Sequence, residues 1–185
     1  LGVLFGGLAA GCLGGGPDAA TPPPEPGDGS PTPTPSGGTP TPGPSGCDPA
    51  NVDRPQVVED ANHPPQGYGT KPQELTLQSV ADYLADFETA YAWNRILVEQ
   101  RPVTNLGVDT QTPWTPEAAG EGFLASSRIE TSYAKQGDQS PTTRTYVASY
   151  FVSAGPVYRV ETDGETVDPR AHPDRELVQC GTDTK

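Results

Sequence analysis

Between Leu13 and Gly46 the chain reads LGGGPDAATPPPEPGDGSPTPTPSGGTPTPGPSG, a 34-residue run with no aromatic residue and Leu13 as its one branched aliphatic. Such a segment cannot bury enough apolar surface to offset the entropy of ordering its backbone. Its Pro-Thr-Pro units favour extended polyproline II and its Gly-Gly pairs act as flexible joints. The sequence therefore predicts a disordered stalk, reaching about 100 Å at most at roughly 3.1 Å per residue. A Thr/Ser-Pro stalk open to O-glycosylation and a bare spacer both fit this composition, and a PxxP ligand fits by spacing alone. What can fold is left to Cys47–Lys185, 139 residues or one ordinary domain's length.

Residues 1–11 form an uncharged run of Leu, Val, Phe, Ala and Gly. That is about the length of a signal-peptide apolar core and short of the roughly 20 residues that span a bilayer. The run opens at Leu1 with no Met and no basic segment before it, so it reads as a signal-peptide remnant, and it stops at Cys12. Ala9-Ala10-Gly11-Cys12 resembles the lipobox of prokaryotic lipoproteins, which implies cleavage before Cys12 and a lipid on it. A leucine usually stands three residues before that cysteine; this chain has Ala9 there and Leu8 one further away. An ordinary secretory signal with an Ala-rich cleavage site is the competing reading and would leave Cys12 a thiol. Cysteine parity favours the lipid, since removing Cys12 from Cys12, Cys47 and Cys180 leaves an even pair. Behind an export signal, Cys47 and Cys180 are expected to bridge. Neither has the helix start or basic neighbours that activate a nucleophilic thiol.

The whole chain carries 24 Asp+Glu against 11 Lys+Arg, a formal charge of -13. This balance argues against nucleic acid as a partner, because affinity for it rests on basic patches that neutralise phosphate. Anionic headgroups would repel the same surface, so membrane association falls to the lipid on Cys12. Only Lys71, Lys135 and Lys185 are lysines. Acid excess with scarce lysine is similar to the proteome of salt-loving archaea, whose charged surfaces stay soluble where the Debye length shrinks to about 3 Å in molar salt. An acidic secreted protein is the plainer alternative.

Residues 48–75 are Pro-rich and aperiodic, an irregular lead-in. From Leu77 to Gln100, Leu77, Val80, Leu84, Phe87, Tyr91 and Val98 recur at helical spacing. Thr76 can cap this helix and Pro102 stops it. Strand alternation follows in Phe123 to Lys135, then in Thr143 to Ser153, where both faces are apolar as in a central strand. Ala154-Gly155-Pro156 turns the chain into VYRVET, and Asp163-Gly164 signals a hairpin returning through Glu165, Thr166 and Val167. A shorter strand is expected around Val103 to Val108. The fold class is α+β: one long helix on a curved antiparallel sheet of about four strands. This pattern resembles the cystatin-like and cone-shaped group. YLADFETAYAWNRIL followed by ASYFVSAGPVYRVE resembles uncharacterised small surface lipoproteins of haloarchaea, a likeness that implies an exported, lipid-anchored protein and no activity.

No metal site, zinc spacing, EF-hand, phosphate loop or nucleophile elbow appears, and no cofactor is expected. His63 and His172 are the only histidines and Met is absent, which leaves a blue-copper set incomplete. Arg95 lies inside the apolar stripe, with Glu99 and Glu88 near it on the helix. It either snorkels into an ion pair at the helix end or floors a pocket between helix and sheet with Tyr91, Tyr150 and Arg159, which would accept a small anion. Trp93, Ile96 and Leu97 form a second apolar patch that either the lead-in, the C-terminal tail or a protein partner covers. Together these features point to a non-catalytic binding or assembly module, extracellular and held at the outer face of an archaeal cell membrane. A small hydrolase or lyase using the helix–sheet pocket is the alternative.

Overall fold

The computed structural model describes residues 47–56 and 62–181, so the signal remnant, Cys12 and the stalk lie outside the described residues. Helix α1 spans Leu77–Gln100, the span expected from its periodicity. A reciprocal cap sets its start: the Thr76 hydroxyl accepts from the Ser79 amide at 3.1 Å, and the Ser79 hydroxyl accepts from the Thr76 amide at 2.9 Å. Strands β1 (Val103–Thr110), β2 (Glu117–Ala119), β3 (Gly122–Lys135), β4 (Thr142–Ser153), β5 (Pro156–Thr162) and β6 (Glu176–Cys180) follow. They form one antiparallel sheet in the order β1-β3-β4-β5-β6, curled into a half-barrel with α1 packed against it.

The sheet has more strands than the four expected. Strand β2 is a three-residue piece pairing with β3 beyond the end of β1, too short for alternation to announce. The chain between them leaves the ladder at residues 111–116, held by the Gln111 amide on the Arg128 carbonyl (2.7 Å) and by the Arg128 amide on the Thr112 hydroxyl (2.9 Å). The expected return strand through Glu165 to Val167 does not form. Pro169 and Pro173 have no amide proton to give a ladder, and residues 163–175 cross the sheet's outer face before β6 pairs with β5.

The inner face presents Ile129, Tyr146, Ala148, Tyr150, Val152 and Val157 to Val80, Leu84, Phe87 and Tyr91 of α1. The ends of the expected stripe are not buried: Leu77 is 54% and Val98 45% exposed. Near the helix end burial follows the neighbouring row of Tyr83, Ala90 and Leu97, spaced seven apart, and Leu97 is 1% exposed. The other flank of α1 is covered by the lead-in. Trp93 donates its indole proton to the Pro64 carbonyl at 3.0 Å, Asn94 exchanges two hydrogen bonds with the Gln66 backbone at 2.9 and 2.7 Å, and the Tyr68 ring lies 5.3 Å from that of Phe87. Lys71, 1% exposed, donates to the carbonyls of Ser153, Ala154 and Gly155 at 2.9, 3.0 and 2.7 Å, pinning the lead-in to the β4–β5 turn.

Cys47 and Cys180 are bridged, their Cα atoms 5.5 Å apart across a sequence separation of 133. The Asp53 amide donates to the Leu177 carbonyl at 2.7 Å, so the start of the lead-in runs beside β6. A bridge closing nearly the whole domain removes most of the open conformations of the unfolded chain. Reducing it, or substituting Cys180→Ser, is expected to lower the unfolding free energy by about 2–5 kcal/mol. Urea titration of the oxidised and reduced protein checks this, and coincident curves would contradict it.

Candidate functional site

The four residues expected to line a helix–sheet pocket do converge. Arg159 of β5 lies with its guanidinium 4.1 Å from the centre of the Tyr91 ring, and Arg95 lies 5.2 Å from that of Tyr146, next to Tyr150 on β4. What they surround is a carboxylate. Glu88, on the sheet-facing side of α1, accepts from the Tyr146 hydroxyl at 2.7 Å, from the Tyr150 hydroxyl, and from Arg159 through Nε and Nη2, both at 2.9 Å. The guanidinium fork matches the planar carboxylate. Arg159 also reaches Glu161 at 2.9 Å and Glu176 at 3.3 Å; Tyr91 donates to Glu176 at 2.9 Å.

Arg95 does not pair with Glu88 or Glu99 along its own helix; its partner is Glu161 on β5, at 2.5 Å, which Arg144 of β4 also holds. Three arginines thus face three glutamates. Glu88 and Arg159 are each 1% exposed. The space expected to be an anion pocket is a packed, charge-balanced cluster.

Burial pushes the Tyr146 and Tyr150 phenols well above their ordinary range, and the neighbouring Glu88 carboxylate pushes them the same way. Tyr91 is raised chiefly by burial, against the opposing pull of Arg159. Burial would raise the Glu161 carboxyl, but Arg159 and Arg95 outweigh it and hold the group below its usual value. Arg159 stays charged because Glu88 overcomes the cost of burying it.

The structure gives Trp93, Ile96 and Leu97 no shared surface for a partner. Ile96 and Leu97 are buried against Val103, with Leu106 and Tyr133 packed on them. Trp93 is half-buried under the lead-in, its ring 5.8 Å from that of His63. Beside the ion cluster, a cleft of about 300 Å³ opens between α1 and residues 53–55, lined by Arg54, Tyr91, Arg95, Val98 and Glu176 among others. Its cations, Arg54 and Arg95, stand with Asp53, Glu99 and Glu176, so this opening is not cationic either.

A second opening went unread in the sequence. On the sheet's outer face, over β3, a cleft of about 330 Å³ runs between the segment carrying Thr115 and Glu117 and the β5–β6 connection carrying Thr166 and Asp168. Leu124 and Ser126 form its floor. Through Ser126 and Thr166 it continues into a hollow of about 200 Å³ bordered by Thr112, Arg128 and Val147. Arg170 grips Asp168 through two nitrogens, and that hydrogen bonding holds the Asp168 carboxyl below its ordinary range. The one sequence signal for this trough is alternation, which turns Ser126 and Arg128 away from the core.

Among the described residues, no group of three His, Cys, Asp or Glu is placed to hold a metal ion. His172 accepts a 3.3 Å hydrogen bond from the Asp174 amide within a surface turn. Also among the described residues, no helix is long and apolar enough to cross a membrane. No protein-family model, curated protein or solved structure matches this chain.

Proposed function

We propose that this chain is a lipid-anchored extracellular module: Cys12 carries the lipid at the outer face of an archaeal cell membrane, the 12–46 segment is the stalk, and the folded domain binds without catalysis. The binding face is the outer trough over β3. The observation that carries this reading is that Glu88, the carboxylate at the centre of the buried ionic cluster between helix and sheet, is already engaged by four donors. A catalytic acid or base needs a lone pair or proton aimed at a substrate; the lone pairs of Glu88 are taken up inside the domain. The open, mixed polar and apolar trough has the character of a recognition surface. The helix crossing a curled sheet supports a fold of the cystatin-like or cone-shaped kind, and the acid excess supports a haloarchaeal source.

Two measurements test this reading. In cells, Cys12→Ser is expected to leave the membrane fraction for the medium or to accumulate unprocessed; wild-type fractionation would overturn the anchor. In solution, amide shifts of the full chain against a library of small polar fragments are expected to gather at residues 115–117, 124–126 and 166–168. Gathering at 53–55 and 95–99 instead would move the site to the helix-side cleft. Turnover of any fragment ester or glycoside would favour a hydrolase or lyase.

A further inference from the structure

We propose that the outer trough is a binding site for an uncharged saccharide, with Ser126, Thr166 and Glu117 as its polar contacts and Leu124 as its apolar floor. This rests on the trough being the binding face. Its volume, about 330 Å³ with a 200 Å³ extension, lies at the small end of small-molecule sites and is bounded on two sides by chain. That size suits a sugar of one or two rings rather than a polypeptide.

The chemistry of the walls narrows the class. Hydroxyls line both hollows, and each hydroxyl donates one hydrogen bond and accepts two, the same inventory that a sugar hydroxyl offers. Ser126 is pre-set as an acceptor: it donates to the Ser149 oxygen at 2.9 Å, which itself accepts from the Val167 amide at 3.3 Å, so the lone pairs of Ser126 remain for a ligand hydroxyl. Glu117 supplies an acceptor-only carboxylate suited to a vicinal hydroxyl pair, Asp168 is already held by Arg170 and forms part of the wall, and Arg128 supplies donors at the far end. Leu124 and Val147 give the C–H face of a pyranose an apolar rest. An anionic ligand would meet the Glu117 carboxylate. A long apolar ligand would leave the wall hydroxyls unpaired, at a cost that disfavours it.

The test is saturation-transfer NMR on the full chain with glucose, galactose, mannose, N-acetylglucosamine, lactose and cellobiose, beside glucuronate and glucosamine as charged arms. At least one neutral sugar is expected to receive saturation. Ser126→Leu and Thr166→Trp should each weaken it about tenfold or more, which corresponds to about 1.4 kcal/mol, while Arg54→Gln in the helix-side cleft should leave it unchanged. Thr166 is an exposed loop residue, so its substitution keeps the test valid if Ser126→Leu misfolds. Transfer untouched by the trough variants, or stronger transfer to a charged sugar, would overturn the proposal. Silence from all sugars while polar fragments still shift trough amides would overturn the saccharide and leave the binding face standing; silence from both would end both.

Discussion

Replacing Arg159 with methionine is expected to destabilise the domain by about 3–5 kcal/mol, because it strands the Glu88 charge where water cannot reach it. The methionine fills much of the arginine stem's volume, so packing loss alone accounts for little of this. What remains around Glu88 is two tyrosine hydroxyls, which satisfy hydrogen bonds but supply no countercharge. Glu161 and Glu176 lose a shared partner at the same time. The double variant Glu88→Gln with Arg159→Met should recover a large part of the loss, since a neutral amide can accept from one of the two tyrosine hydroxyls and donate to the other, and no ion is left buried at position 88. Urea unfolding of the two single variants and the double variant measures the coupling directly. A cost under about 1 kcal/mol for Arg159→Met would mean that water reaches the cluster and that the pair behaves like a surface ion pair.

This cluster also marks where the sequence stops being informative. The helix was legible because its signals are local: Thr76 caps it, Pro102 stops it, and Val80, Leu84, Phe87 and Tyr91 follow its period. Strands β3, β4 and β5 were legible through alternation. That Tyr91, Arg95, Tyr150 and Arg159 share one place followed from putting helix and sheet stripes face to face. Their role did not follow, because it depends on pairings between distant positions. Glu88 and Arg159 are 71 residues apart, and a glutamate on a helix next to an arginine stripe reads as that arginine's helical neighbour. Arg95 instead crosses to Glu161 on β5. Strands β2 and β6 are too short to show a period, and the trough's walls are irregular segments whose hydroxyl residues carry no pattern.

The same burial makes the domain sensitive to alkali. In the folded protein the phenols of Tyr91, Tyr146 and Tyr150 are all held above their ordinary range, whereas in the unfolded chain they return to a value of about 10. A raised folded pKa contributes stability that is fully present below the unfolded value and is lost as pH climbs above it. Above pH 10 the unfolded chain sheds these three protons while the folded one keeps them, so they alone lower stability by about 4 kcal/mol for each further pH unit, and Tyr68, also raised by burial, acts in the same direction. The arginines facing these phenols do not relieve this, because a guanidinium keeps its proton throughout this range. A domain of ordinary stability, about 5–15 kcal/mol, should therefore unfold cooperatively from about one unit above pH 10 upward. Simultaneous far-ultraviolet circular dichroism and phenolate absorbance near 295 nm check this. The phenolate signal of the three buried tyrosines should rise together with the loss of helix, and Tyr146→Phe should make the pH dependence shallower by about a third. Ionisation of all seven tyrosines with the helix signal intact would show that hydroxide reaches the phenols in the native state, and that the cluster between helix and sheet is open to solvent.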